Sequence, residues 1–162
     1  MNVGGAIRAI ISFLIFVVLH YTLRPLLGWR APMDFLVLAL LLAAVRVRPA
    51  TAAVIGFVLG LMSDSLAPDA LGAGAIAMTV VGFGASYLKA VFFADNLVLN
   101  AFFFFLGKWV FDIIYFAGEQ RVHGVELVQQ LLLWSPLSAA VTAAVGVLLL
   151  FIMRPLLEPT PA

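Results

Sequence analysis

Two charged residues, Lys108 and Asp112, stand four apart inside an apolar run. Charges at membrane depth are costly, and the usual remedy is mutual pairing on a face turned away from lipid. At i and i+4 on a helix the two side chains meet across one turn. The pair is read as structural. The functional alternative is an ion or proton relay, with Asn100 a little over two turns away. A second constellation is Gly56, Gly60 and Asp64, also four apart, followed by Gly72 and Gly74. Gly56 and Gly60 form a small-xxx-small pair that lets another backbone approach closely where lipid supplies no hydrophobic drive. Asp64 lies one turn further along the same face. Either this face packs inside a bundle and Asp64 ends a helix in water, or the face meets a partner. On the partner reading, Asp64→Asn keeps the fold and weakens only assembly. A third face carries Ala139, Ala140, Thr142, Ala143, Ala144 and Gly146. Intramolecular packing is its expected role, with homodimerisation as the alternative.

Reactive chemistry has little to work with here. Cysteine is absent, so thiolate nucleophiles, disulfides and cysteine metal sites are excluded together. His20 and His123 stand alone, without a His-x-x-x-His pair or clustered carboxylates, and no metal site is expected. There is no Gly-x-Ser-x-Gly and no phosphate-binding glycine loop. An enzyme is disfavoured, and no cofactor is expected.

The elements that must hold these residues are membrane helices. Of the 162 residues, 65% are hydrophobic and only 10% charged, against about 25% charged in a soluble domain. Mean hydropathy is +1.18. Such a chain cannot cover a water-facing surface and uses lipid as solvent. A net charge of +1 gives no argument for nucleic acid. Charge and proline punctuation predict an all-α, single-domain bundle over residues 1–162, with spans near 5–23, 33–45, 50–63, 70–88, 95–117 and 127–153. Pro136, inside the last span, predicts a kink. The first run lacks an Ala-x-Ala cleavage site and is read as retained. Placing both termini in the cytoplasm puts Arg8, Arg46, Arg48, Lys89 and Arg154 inside, against Arg24, Arg30 and Arg121 outside. That bias has the sign the positive-inside rule requires. Asp64 and the Lys108/Asp112 pair then lie towards the outer side, where the polar groups are expected to converge.

The run Gly56-Phe57-x-x-Gly60-x-x-x-Asp64, with Gly72 eight residues later and Gly74 beyond it, resembles the signature of the rod shape-determining protein MreD family. Chain length, the span number, tiny loops and the Arg46/Arg48 turn are similar to that family as well. The resemblance implies a non-enzymatic component of the bacterial cell-elongation machinery in the inner membrane. Its implied partners are a single-span MreC-like protein and, further, MreB filaments, the polymerase RodA and a class B penicillin-binding protein. The implied fold is that of the substrate-capturing subunits of energy-coupling-factor transporters, which supplies the alternative function: a small-molecule-binding transport subunit. A vitamin site of that kind needs polar groups converging with aromatics in a cavity. Lys108 and Asp112 are not part of the family resemblance.

Overall fold

The computed structural model describes residues 34–65, 71–92, 96–119 and 124–157, together with Ile15, Val18 and Thr22. The span expected over 5–23 falls outside this set apart from those three residues. Every described element is helical.

Helix α1 (Phe35–Ala44) sits at the centre, with eight of its ten residues buried. Ten residues rise only about 15 Å, half the hydrocarbon thickness of a bilayer. The apolar run read as a span over 33–45 therefore holds a short helix packed against α2 (Pro49–Ser65), α3 (Ala73–Phe92), α4 (Leu97–Gly118) and α6 (Ser135–Leu157). A helix apolar all round is suited to such enclosure. Leu36, Leu38, Leu40, Leu41 and Phe104 of the core are fully buried. Two glycines make room for them. A Cβ on Gly107 would lie 2.6 Å from a Leu41 methyl, and one on Gly146 would lie 2.8 Å from Leu38 and 2.9 Å from Phe104.

Among the described residues, three stretches, Ala73–Ala90, Leu97–Gly118 and Val125–Phe151, are long and apolar enough to cross a membrane. Their outward residues are large and apolar, among them Ile76, Phe83, Phe102, Leu132 and Phe151. An apolar exterior over a core that holds charged residues suits lipid as the surrounding solvent.

The last stretch is not one uniform helix. Short α5 (Val125–Gln129) passes through a π turn at Gln130–Trp134 into α6. There the Ser135 N–H donates to the Gln130 carbonyl, five residues back. The cause lies at Pro136, which has no N–H to give and whose ring crowds the carbonyl four residues before it. A wider turn relieves that crowding, so the expected proline effect takes the form of a π turn just upstream.

Candidate functional site

Helices α2 and α3 form a hairpin in which bare backbones touch. A Cβ added to Gly56 would lie 2.7 Å from the Met78 carbonyl carbon, and one on Gly60 2.6 Å from the Ala75 nitrogen. Gly82 of α3 answers from the other side, where a Cβ would sit 2.6 Å from the Ala52 carbonyl oxygen. The glycine face thus lies against the chain's own next helix.

Asp64 completes this face, and it is not in water. It is 1% exposed, and its carboxylate accepts three backbone N–H bonds from the start of the following helix. Oδ2 accepts from Gly72 at 2.9 Å and Ala75 at 3.0 Å, and Oδ1 accepts from Gly74 at 3.1 Å. The first N–H groups of a helix have no partner within it, and the helix dipole favours a negative charge there. Asp64 meets both needs from a neighbouring helix. Gly72 takes φ +95°, a left-handed conformation that suits glycine. Gly74 has no room for a Cβ, because the Asp64 carboxylate occupies the space. The five residues of the motif therefore form one device: two glycines close the hairpin, one carboxylate caps it, and two glycines let the backbone reach that carboxylate.

A second polar assembly lies between α1, α4 and α6, deep in the apolar core. Lys108 pairs with Asp112 one turn away on α4. Lys108 Nζ also lies 3.4 Å from Asp34 Oδ2. Asp112 Oδ2 accepts from the Ser135 hydroxyl at 2.7 Å. Asp34 is the N-cap of α1, with Oδ1 accepting from the Val37 N–H at 3.3 Å, while its own N–H donates to the Thr142 hydroxyl at 3.3 Å. A buried helix start cannot be capped by water, which explains a carboxylate at this depth. All four ionic and hydroxyl partners, Asp34, Lys108, Asp112 and Ser135, are buried. They border a cavity of about 120 Å³ whose wall includes Phe111, Tyr115, Phe116 and Trp134.

Sequence reasoning paired Lys108 with Asp112 but missed Asp34. The signal was available: an aspartate directly before an apolar run is an N-cap pattern. What spacing could not give is the third-helix contact, 74 residues away along the chain. Of the small-residue face, Ala139, Thr142, Ala143 and Gly146 are buried within the bundle, whereas Ala140 and Ala144 are exposed.

The opposite end of the bundle is basic. Arg46 and Arg48 are exposed in the α1–α2 turn. The Val47 carbonyl between them accepts from both Lys89 Nζ and the Ser86 hydroxyl, each at 2.7 Å, tying this turn to the end of α3. His123 and His20 lie outside the described residues. Among the described residues no three His, Cys, Asp or Glu side chains form a group suited to a metal ion.

No curated protein and no solved structure matches the chain, so the expected likeness to transporter substrate-capturing subunits has no structural match behind it. A family model described as rod shape-determining protein MreD matches residues 3–159, nearly the whole chain. The motif of Gly56, Gly60, Asp64, Gly72 and Gly74 falls well within that match. The chain belongs to the MreD family of rod shape-determining membrane proteins.

Proposed function

We propose that this protein is a non-enzymatic, multi-pass component of the bacterial inner membrane that supports cell elongation by binding a single-span, MreC-like partner. MreB filaments, RodA and a class B penicillin-binding protein are the further members of the assembly. The observation that carries this reading is the family match over residues 3–159. The basic end at Arg46, Arg48 and Lys89 and the acidic end at Asp34, Asp64 and Asp112 support an orientation with both termini cytoplasmic.

The glycine face of α2 is consumed by α3, so partner contact is assigned to other surfaces of the bundle. Ala140 and Ala144, exposed and one turn apart on α6, would admit a second copy of the chain. The test is gentle solubilisation of tagged protein followed by identification of what co-purifies. A single-span protein with a large periplasmic domain is the expected companion. Recovery of an ATPase pair with a transmembrane coupling subunit would overturn the reading in favour of transport.

A further inference from the structure

We propose that the α1–α2 turn, together with Lys89 of α3, binds the phosphate of an anionic phospholipid. The turn presents the charge. Arg46 and Arg48 are exposed, while Val47 between them is half-buried and packs against the core. The Val47 carbonyl accepts from Lys89 Nζ and from the Ser86 hydroxyl, each at 2.7 Å. A third cation is therefore held against the backbone between the two arginines. The turn is also closed from its own side: the Arg46 N–H donates to the Ala43 carbonyl at 2.9 Å, and the Arg48 carbonyl accepts from the Ala52 N–H at 2.9 Å. A backbone braced in this way has little freedom left to lose when a ligand binds, which favours affinity. Guanidinium groups offer paired N–H donors that match two oxygens of one phosphate, and an ammonium adds a compact point charge.

The position of the cluster selects a lipid over a soluble anion. Lys89 is the penultimate residue of Ala73–Ala90, a stretch long and apolar enough to cross a membrane. Its end lies where hydrocarbon gives way to headgroups. Tyr87 marks the same level. It is exposed and stacked on Phe83 with ring centroids 6.4 Å apart, and an aromatic ring with one polar tip favours this boundary.

An acyl chain has a surface to follow as well. Thr51, Val54, Val58 and Leu61 continue from Arg48 along α2 at three- and four-residue spacing, and all four are exposed. They form one stripe on the helix, leading from the basic turn towards the middle of the membrane. A lipid held by its phosphate at Arg46 and Arg48 would lay a chain along that stripe. Basic groups at a membrane boundary are the feature that anionic headgroups recognise.

The test uses the purified full-length chain in nanodiscs of phosphatidylcholine. Phosphatidylglycerol is raised stepwise as a share of the lipid, with the thermal unfolding midpoint as readout. Native mass spectrometry counts the phosphatidylglycerol that each protein molecule retains. A saturable rise in midpoint, with retained phosphatidylglycerol, is expected. Arg46→Gln/Arg48→Gln changes only exposed side chains, so its midpoint in phosphatidylcholine alone should match wild type. Its response should need more phosphatidylglycerol by about fivefold for each arginine lost. Arg46→Lys/Arg48→Lys keeps the charge but gives up the paired donors, and should fall between the two. A wild-type response in the lysine variant would overturn a defined phosphate site, because charge density alone would then suffice. An undiminished response in the glutamine variant would overturn it by placing the lipid elsewhere. Inorganic phosphate at matched ionic strength should leave the midpoint unchanged; a rise equal to that from phosphatidylglycerol would overturn the lipid assignment in favour of a soluble anion. Equal midpoints in both lipids, with no phosphatidylglycerol retained, would overturn the proposal outright and leave the arginines to an acidic protein surface.

Discussion

Asp64 and the glycines around it separate three causes of instability that a motif alone would merge. Gly72 has open space where a Cβ would go, but its φ is +95°. Gly72→Ala should therefore cost only the left-handed backbone penalty, about 1–2 kcal/mol. Gly74 has helical backbone but an occupied space, so Gly74→Ala must displace the Asp64 carboxylate and should cost more than Gly72→Ala. Asp64→Asn replaces one of two accepting oxygens with an N–H donor facing N–H groups. It removes charge-assisted bonds, each contributing roughly 1.5–3 kcal/mol, and should lower stability outright. The cap geometry thus revises the expectation that this substitution keeps the fold. Reversible unfolding of the three variants in one detergent checks the order. If Asp64→Asn is as stable as wild type, the cap is not formed in solution. Lys108 gives a matching case with opposite bookkeeping. Lys108→Ala leaves two carboxylates, Asp34 and Asp112, buried without their shared cation. Breaking one buried pair costs roughly 3–5 kcal/mol in soluble proteins. Lys108→Ala/Asp112→Ala should be milder than Lys108→Ala yet still impaired, because the Lys108–Asp34 contact is lost as well. A double variant restored to wild-type stability would mean that Asp34 does not share the lysine.

At the level of elements, α2 and α3 depend on closeness that no larger residue permits. Gly60→Leu places four carbons against the Ala75 backbone, and the hairpin must open. Because that face is internal, the expected result is aggregated protein on size-exclusion chromatography rather than a monodisperse protein lacking its partner. Monodisperse Gly60→Leu would contradict the hairpin. Much of this pair was legible in the sequence, because glycines four apart followed by an aspartate leave a period that survives any tertiary context. The partner of that face was not legible. Gly82 gives only half a signal by itself. Helix α1 is shorter than the span read over 33–45. Phe35–Ala44 has no polar face, which marks enclosure, but a short apolar run between basic and acidic turns also fits a short span. Pro136 announced a break in the helix. Its form, a π turn, depends on how Ser135 reaches Gln130 and could not be read from residue types.

Among the described residues, charge outside the core is sorted end to end. Arg46, Arg48 and Lys89 gather at one end, while Asp34, Asp64, Glu119 and Glu126 gather at the other. The absence of cysteine makes this easy to test. Single cysteines at Gly124 and Arg48 lie at opposite ends of the bundle, so an impermeant thiol reagent added outside intact cells should label the first and not the second. Labelling of Arg48→Cys alone would invert the orientation. Composition, not periodicity, made the class legible, since 65% hydrophobic residues leave too little polar surface for water. The interior was harder to foresee, because Asp34, Lys108 and Ser135 are joined only by folding.

The cap on α3 has a consequence for how the chain is made. Until Gly72, Gly74 and Ala75 emerge from the ribosome, α2 carries a carboxylate with nothing to neutralise it. A lone α2 therefore partitions poorly into the bilayer, and the translocon must hold it until α3 arrives. The two helices should be released laterally as a pair. A truncated chain ending after Ser65 should integrate less efficiently than one ending after Phe92 in a glycosylation-mapping assay. Biogenesis, on this account, waits on three backbone amides.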